Sequence, residues 1–322
     1  MELTTGAQSF CRSEVRQVKL PGEERMPLDS LVKLVVTVAV VEMMVTVGLG
    51  VAVADVIAVA REGRLLARAA LANYVCVPAA TVALLMMFDA HPMVAVGFLV
   101  LAVCPGAPFG PPLAILARGN TALSVGWMTI LAASSAVIAP ASLYLLLPWI
   151  TGTQAMTIDT VNRMMSTLIV VQLLPLAAGL GIRHFRPGMA DRMLGPALGT
   201  AKVLNAAAIV LVVSAYYHLL MEVRLKGLIG MLILLTLSLA AGWLLGGRGV
   251  ESRKTLALTT STRNVGVGLV IATDAFGGTP AVTAVLAYGL VGIIGSLLIA
   301  RSWGRQPGLS GAVVQDVNDV PD

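Results

Sequence analysis

Two charged residues lie inside long apolar segments of this sequence, where ionisable groups usually serve a function. Arg263 follows a run of hydroxyl residues, and Glu42 lies in an apolar stretch that begins near Leu31. A charge near the centre of a bilayer costs about 2.5–3.5 kcal/mol on insertion scales, so it normally faces a cavity or a partner. A guanidinium offers paired donors that match a carboxylate. We expect Arg263 to bind an organic anion, to supply a fixed positive charge, or to pair with an internal carboxylate.

Glu42 is the candidate partner for Arg263. An ion pair between the two would keep Glu42 ionised while the site is empty. An anion that competed for Arg263 would remove this stabilisation, and Glu42 would then take up a proton together with the anion. The pair therefore predicts proton–anion symport. The alternatives are that Glu42 faces solvent, or that the chain is a facilitator or anion exchanger without a coupling ion.

Two interruptions rich in Pro, Gly and hydroxyl residues break apolar segments, at residues 104–112 and 259–268. Backbone groups in lipid must be satisfied internally, so such breaks persist only inside protein or beside a water-filled cavity. Paired breaks at matching places in two halves indicate the substrate site of a transporter. The predicted substrate-binding residues are Arg263, Asn264, Thr259, Thr260, Thr262, Pro105, Gly106 and Gly110.

Composition places the chain in the membrane. Hydrophobic residues make up 57% and charged residues 12%, and the mean hydropathy is +0.87. Long unbroken apolar runs exclude an outer-membrane barrel, whose short strands would alternate. The net charge of +5 comes from cations at the ends of apolar runs, so no nucleic-acid partner is expected. The cysteines and histidines have no metal-ligand spacing, and we expect no cofactor and no enzymatic activity.

Runs of about 20 apolar residues predict an all-α polytopic protein with about nine transmembrane helices. Most arginine and lysine residues lie in one set of the connections between them. The positive-inside rule then places the C-terminus in the cytoplasm and the N-terminus outside, in the inner or plasma membrane. The predicted spans are 31–54, 65–88, 93–115, 121–147, 161–182, 196–218, 226–246, 254–275 and 279–300.

Polar tails flank the predicted transporter domain of residues 31–303. Residues 1–30 lack the apolar stretch of a signal peptide. We expect that translation could begin at Met26, whose downstream sequence enters the first span almost at once. Residues 304–322 are polar and are predicted to be disordered.

The residues around the first interruption resemble the bile acid:sodium symporter family. Pro105-Gly106 is followed by L-A-R-G-N-T-A-L-S-V at 116–125, and R-N-V-G at 263–266 is similar to that family's second crossover. The resemblance implies core and panel domains, formed by two inverted repeats that here would cover 31–147 and 161–300. It also implies that the third and eighth spans are broken, cross near the midplane and operate by alternating access.

Some positions depart from the pattern of sodium-dependent members of that family. Those members have Ser-Asn in the first break, where this chain has Gly110 and Pro111. They have a glutamate and a glutamine in the second break, where this chain has Thr259 and Arg263. We therefore expect that sodium is not the coupling ion, and that Arg263 replaces its positive charge. A sodium-coupled symporter of organic or bile-acid-like acids remains the alternative.

Several further residues are candidates for the coupling or substrate site. Ser124 keeps a hydroxyl at a position where the resemblance implies an ion ligand, and Asn73 stands where another polar ligand is expected. With Glu42 they form the predicted coupling set, for H⁺ or Na⁺. Asn73 could equally form a helix–helix hydrogen bond, and membrane Ser and Thr often bond their own backbone. Asn205 and Lys202 are candidates for the cleft between core and panel.

Two other function classes compete with an organic-anion carrier. A metalloid efflux carrier would need thiolate chemistry at Cys104, beside the first interruption. A non-transporting sensor or intramembrane enzyme would need a catalytic grouping, and the spans contain no such set of Asp, His and Ser residues.

Overall fold

Residues 25–88, 90–151, 156–221 and 225–305 are described by a computed structural model, and the regular secondary structure among them is helical. Helix formation follows from the apolar runs, because a helix satisfies every backbone group of a membrane span within one segment. The helices are α1 (Arg25–Gly50), α2 (Val53–Arg61), α3 (Gly63–Phe88), α4 (Pro92–Ala102), α5 (Gly110–Leu116), α6 (Thr121–Thr151), α7 (Ile158–Phe185), α8 (Pro187–Met221), α9 (Leu225–Leu245), α10 (Val250–Ser261), α11 (Val265–Ala275) and α12 (Pro280–Arg305).

The all-α polytopic prediction is confirmed. Seven of the described helices contain apolar stretches of 21 to 32 residues, long enough to cross a membrane. Two interrupted helices, α4 with α5 and α10 with α11, correspond to the third and eighth predicted spans. The total of nine spans includes these two and stays a prediction.

The ends of the chain differ from the predicted boundaries. Helix α1 begins at Arg25, so the predicted polar tail of residues 1–30 includes its first residues. The first span ends at Gly50 and not at residue 54, because Val51 and Ala52 are not helical and separate it from α2. Residues 1–24 and 306–322 lie outside the described part, so the start at Met26 and the disorder of the C-terminal tail remain predictions.

The helices form two groups. We call α1, α7 and α8 the panel, because α1 packs mainly against the other two, and the remaining helices the core. Gly48 and Gly179 face each other where α1 crosses α7, and a Cβ atom on either residue would overlap the other helix's backbone. Small residues of this kind let membrane helices approach closely. The division into inverted repeats stays a prediction.

Two π-helical segments interrupt long helices and carry buried amides. Residues 72–76 of α3 contain Asn73, and residues 169–173 of α7 contain Gln172. The Gln172 side chain donates to the carbonyl of Ala132 and, over 3.0 Å, to the hydroxyl of Ser135 on α6. Single π turns often occur at functional positions. Here one of them joins the panel to the core through a buried amide.

Candidate functional site

The two interruptions contact each other directly. We define the first break as residues 103–109, between α4 and α5, and the second break as residues 262–264, between α10 and α11. The backbone N–H of Asn264 donates to the carbonyl of Cys104 over 2.9 Å. The side-chain amide of Asn264 donates to the carbonyl of Gly106 over 3.5 Å. The freed backbone groups of one break are thus partly satisfied by the other.

Asn264 also starts α11. Its side-chain oxygen accepts a hydrogen bond from the backbone N–H of Val267 over 3.2 Å, which caps the helix. The residue is 1% exposed. A single buried side chain therefore sets the beginning of one half-helix and contacts the opposite break.

Gly106 determines how closely the first break approaches α6. Its φ angle is +83°, in the left-handed region that favours glycine. A Cβ atom there would overlap the backbone of Ala132. Pro105 beside it is buried. The Pro-Gly pair of the sequence thus fits the first break tightly against a core helix.

Arg263 lies in the second break and is buried, with 3% of its surface exposed. Its Nη1 donates to the carbonyl of Asn73 over 3.5 Å. Its Nε and Nη2 atoms have no hydrogen-bond partner among the described residues. The Tyr74, Cys104 and Tyr288 side chains lie close to the guanidinium. Arg263 therefore points into the core, between α3, the first break and α12.

The predicted ion pair between Glu42 and Arg263 is wrong for this structure. One carboxylate oxygen of Glu42 accepts a hydrogen bond from Thr46 over 2.9 Å, and the other has no described partner. The face of α1 that packs on the second break is apolar, since Val40 and Met43 contact the position of Gly266. Glu42 lies on a different side of the helix. Proton symport through this pair loses its structural basis.

The predicted hydroxyl residues around the second break are buried, and most bond to their own helix. Thr259 donates to the carbonyl of Thr255, and Thr262 donates to that of Leu258, each over 2.7 Å. Thr260 accepts a hydrogen bond from the amide of Asn73 over 3.2 Å. Thr259 and Thr260 belong to the last turn of α10, so the break is shorter than the sequence suggests. Asn73 makes the helix–helix bond that was the alternative to an ion ligand.

A second polar cluster surrounds Gly110, at the start of α5. A Cβ atom on Gly110 would lie 3.5 Å from the Ser124 hydroxyl and 3.7 Å from the Thr259 hydroxyl. The Ser124 hydroxyl is buried and has no described partner. Three of the predicted site residues are thus neighbours, although they lie on α5, α6 and α10.

A small cleft of about 60 Å³ separates the panel from the core at the second break. Arg263, Asn264 and Asn205 are its polar lining residues, and its other lining residues are Val36, Ala39, Val40, Met43, Pro108, Phe109, Ala208, Ile209, Val265, Gly266, Leu269, Leu286, Leu290 and Ile293. The prediction that Asn205 faces the cleft is confirmed. Lys202 is exposed and does not line the cleft, and Cys104, in the first break, is fully buried and does not line it either.

Only some of the predicted substrate residues border this cleft. Arg263 and Asn264 do, whereas the other six lie behind it or in the polar cluster at Gly110. Tyr288 is a further candidate that sequence reasoning missed. Its phenol lies within an apolar span and not at a membrane interface, where tyrosines concentrate. That unusual position was the available signal.

One ion pair joins panel to core near the cleft. Lys33 on α1 is bonded to Asp274 near the end of α11, about one helical turn beyond the cleft residues Val36 and Leu269. The side chains are 49% and 21% exposed. Pairs of this kind contribute at most about 1 kcal/mol.

Because the pair is exposed, Lys33→Gln is expected to lower the free energy of unfolding by less than about 1 kcal/mol. Thermal unfolding in detergent measures this, and the exchanged pair Lys33→Asp with Asp274→Lys should recover the loss. A loss above about 2 kcal/mol would show that the pair is a major structural contact. An exchanged pair less stable than both single variants would show that more than charge is involved.

Comparison with known proteins agrees with the observed architecture. The model of the Sodium Bile acid symporter family matches residues 37–223, more than half of the chain, and the match ends before the second break. The chain is 30% identical over 251 residues to a protein of Arabidopsis thaliana named probable sodium/metabolite cotransporter BASS1, chloroplastic. It is 26% identical over 243 residues to a protein of Bacillus subtilis named uncharacterized sodium-dependent transporter YocS.

The two alignments each include 73% of this chain. They cover 58% of the Arabidopsis protein, which is less than two thirds of its length, and 72% of the Bacillus protein. The helical membrane architecture, the two contacting breaks and the family match point the same way. The chain belongs to the sodium bile acid symporter family.

Proposed function

We propose that this chain is a secondary transporter that moves a small organic anion across the membrane by alternating access, without sodium as its coupling ion. The observation that carries the proposal is Arg263, a buried cation at the contact of the two breaks and at the edge of the cleft. A protein that keeps a permanent positive charge there favours a negatively charged substrate.

The argument against sodium rests on charge and on ligands. Two unit charges 4 Å apart interact by about 4 kcal/mol at an effective dielectric of 20, so a guanidinium would strongly oppose a nearby sodium ion. Around Gly110 the structure offers the hydroxyl oxygens of Ser124 and Thr259, which are neutral and bind a sodium ion less strongly than a carboxylate would. No carboxylate is paired with Arg263 among the described residues. Both relatives carry sodium in their names, so this chain would differ from them in its coupling.

The lining of the cleft supports an organic substrate. Side chains of α1 and α8 on one side and of α11 and α12 on the other are mostly aliphatic. Once the panel moves away from the core, an apolar body would lie against them while its charged end approaches the second break. Movement of the panel against the core would open the cleft to one side and then to the other.

The remaining parts of the proposal concern placement. Residues 31–303 would form the transporter domain, with repeats 31–147 and 161–300. The N-terminus would lie outside and the C-terminus in the cytoplasm of an inner or plasma membrane, because the arginine-rich connections favour the cytoplasmic side. Nothing in the cleft favours a metalloid carrier, since Cys104 is not among its lining residues.

Uptake into proteoliposomes tests the proposal. A panel of small carboxylates is offered to the wild type, to Arg263→Gln and to the exposed control Arg248→Gln, with imposed sodium or proton gradients. We expect that a sodium gradient does not change the rate of uptake. In Arg263→Gln the rate should fall more than about tenfold, the equivalent of about 1.4 kcal/mol. The control should transport normally.

The same assay separates the remaining modes. Stimulation by a proton gradient indicates symport, stimulation by internal substrate indicates exchange, and response to neither indicates facilitated flow. Uptake driven by a sodium gradient would refute the coupling part of the proposal. Absence of carboxylate uptake under every gradient, with folded protein in the vesicles, would refute the substrate class.

A further inference from the structure

The guanidinium of Arg263 lacks a counter-ion. It is 97% buried, and two of its three nitrogen atoms have no hydrogen-bond partner among the described residues. The ion pairs found in the described part are Lys33–Asp274 and Arg183–Asp191, and neither includes Arg263. Buried charges are normally paired or fully hydrogen-bonded, because desolvation without compensation is costly. The site is therefore short of an acceptor.

The side chains around the guanidinium are neutral: the hydroxyls of Tyr74 and Tyr288 and the thiol of Cys104. The Tyr288 hydroxyl lies within interaction distance of Arg263 and Ser238, but no hydrogen bond of standard geometry joins it to either. Ser238 itself donates to the carbonyl of Leu234 over 2.7 Å. The Tyr288 ring is stacked on Phe98, with centroids 5.4 Å apart and planes inclined by 11°. The hydroxyl is thus held in place by packing, with its hydrogen available.

Other neighbours do not supply the missing negative charge. Tyr74 donates its hydroxyl to the carbonyl of Leu131 over 2.9 Å, so that group is already used. Cys104 is a buried free thiol. The Asn73 carbonyl satisfies Nη1 alone, over 3.5 Å. Nε and Nη2 of Arg263 and the hydroxyl of Tyr288 are thus three buried polar groups without a described hydrogen-bond partner, and each can donate to an anion.

We propose that a single monoanion binds in the core between the guanidinium of Arg263 and the hydroxyl of Tyr288. A monoanion matches the one fixed positive charge, whereas a dianion would leave a buried excess of negative charge. The chemistry suits a halide, a nitrate or a carboxylate. The anion comes either from the medium as a free ion or from the transported molecule as its charged end. The second source rests on the proposed function, and the first does not.

Anion-dependent thermal stability of the purified full-length protein in detergent tests this site. Unfolding is followed in chloride, nitrate, acetate and sulfate series at one ionic strength, with sulfate as the baseline. We expect a saturable rise of the unfolding temperature in at least one monoanion series and none in sulfate, since binding to the folded state stabilises it by mass action. Arg263→Gln should abolish the rise.

Tyr288→Phe keeps the stacked ring and removes one hydrogen bond to the anion. It should raise the half-saturating monoanion concentration by about tenfold, because the anion, a charged group, loses one hydrogen bond. Tyr217→Phe, at a position 50% exposed on α8, is the matched control and should behave as the wild type. Where Arg263→Gln does not fold, the Tyr288 comparison decides.

Each outcome has a definite meaning. Saturation by chloride or nitrate identifies a free ion, and saturation by acetate alone identifies a carboxylate end. A flat response to every monoanion, or an equal response in wild type and Tyr288→Phe, overturns the site. Because binding is measured without transport, the site can fail while Arg263-dependent uptake persists, so this failure is distinguishable from failure of the proposed function.

Discussion

Gly106→Ala is expected to destabilise the protein by about 2–5 kcal/mol. The left-handed backbone conformation costs a non-glycine residue about 1–2 kcal/mol, and forcing an extra methyl group into a packed interior costs about 1–3 kcal/mol. Both apply here, because the φ angle of Gly106 is +83° and the added Cβ would overlap the backbone of Ala132. Neither a rotamer change nor a flexible neighbour relieves a contact with backbone. Denaturation of the purified protein in detergent measures the loss.

Gly110→Ala is the matched control in the same region. A Cβ atom there would come no closer than 3.5 Å to Ser124, an ordinary van der Waals contact, and Gly110 has no positive φ angle. We expect this variant to lie within about 1 kcal/mol of the wild type. Equal stability of the two variants would show that the first break can move away from α6.

Gly106 also has a functional consequence, because its carbonyl accepts the amide of Asn264. A displaced first break would separate the two interruptions. Uptake by Gly106→Ala should therefore fall in any fraction that still folds, whereas Gly110→Ala should transport. The packing of one glycine thus determines whether the two breaks can form a common site.

The sequence predicted the membrane architecture well, because hydropathy and proline or glycine breaks are local properties. Within the described residues, seven long apolar helices and both interruptions lie where the sequence predicts them. Asn264, Gly106 and Arg263 were identified from composition and resemblance, and they do meet at the crossing. Each of these signals lies within about 20 consecutive residues and does not depend on how helices rotate.

Helix rotation is what the sequence could not supply. Helix α1 is apolar on nearly every side, so its pattern does not reveal which face meets the second break. The structure places Val40 and Met43 there and turns Glu42 away. The same limitation concealed Tyr288, which lies in an apolar helix far along the chain from Arg263. When uniformly apolar helices pack together, the residues that come into contact show no periodic pattern in the sequence.

The permanent charge of Arg263 explains why this chain departs from the pattern of sodium-dependent family members. A transporter that binds a cation at the crossover gains and loses positive charge in each cycle. The positive charge of a guanidinium in that position is permanent, so the ligand that binds and leaves must be negatively charged. The unsatisfied donors of Arg263 and Tyr288 agree with this reversal. The relevant charge balance is then between a fixed cation and an exchangeable anion.

Asn264→Ala is expected to lower the free energy of unfolding by about 2–3 kcal/mol and to reduce uptake by more than about tenfold. Loss of the helix cap costs about 1 kcal/mol, and the abandoned buried carbonyl of Gly106 adds about 1–2 kcal/mol. Asn264→Ser separates the two effects, because serine caps a helix well but is too short to reach Gly106. It should recover about 1 kcal/mol of stability without recovering uptake. Asn162→Ala, at an exposed position of α7, is the control and should change neither quantity. Full uptake by Asn264→Ser would show that the side-chain bridge between the two breaks is dispensable, and that the backbone bond from Asn264 to Cys104 suffices to hold the crossing.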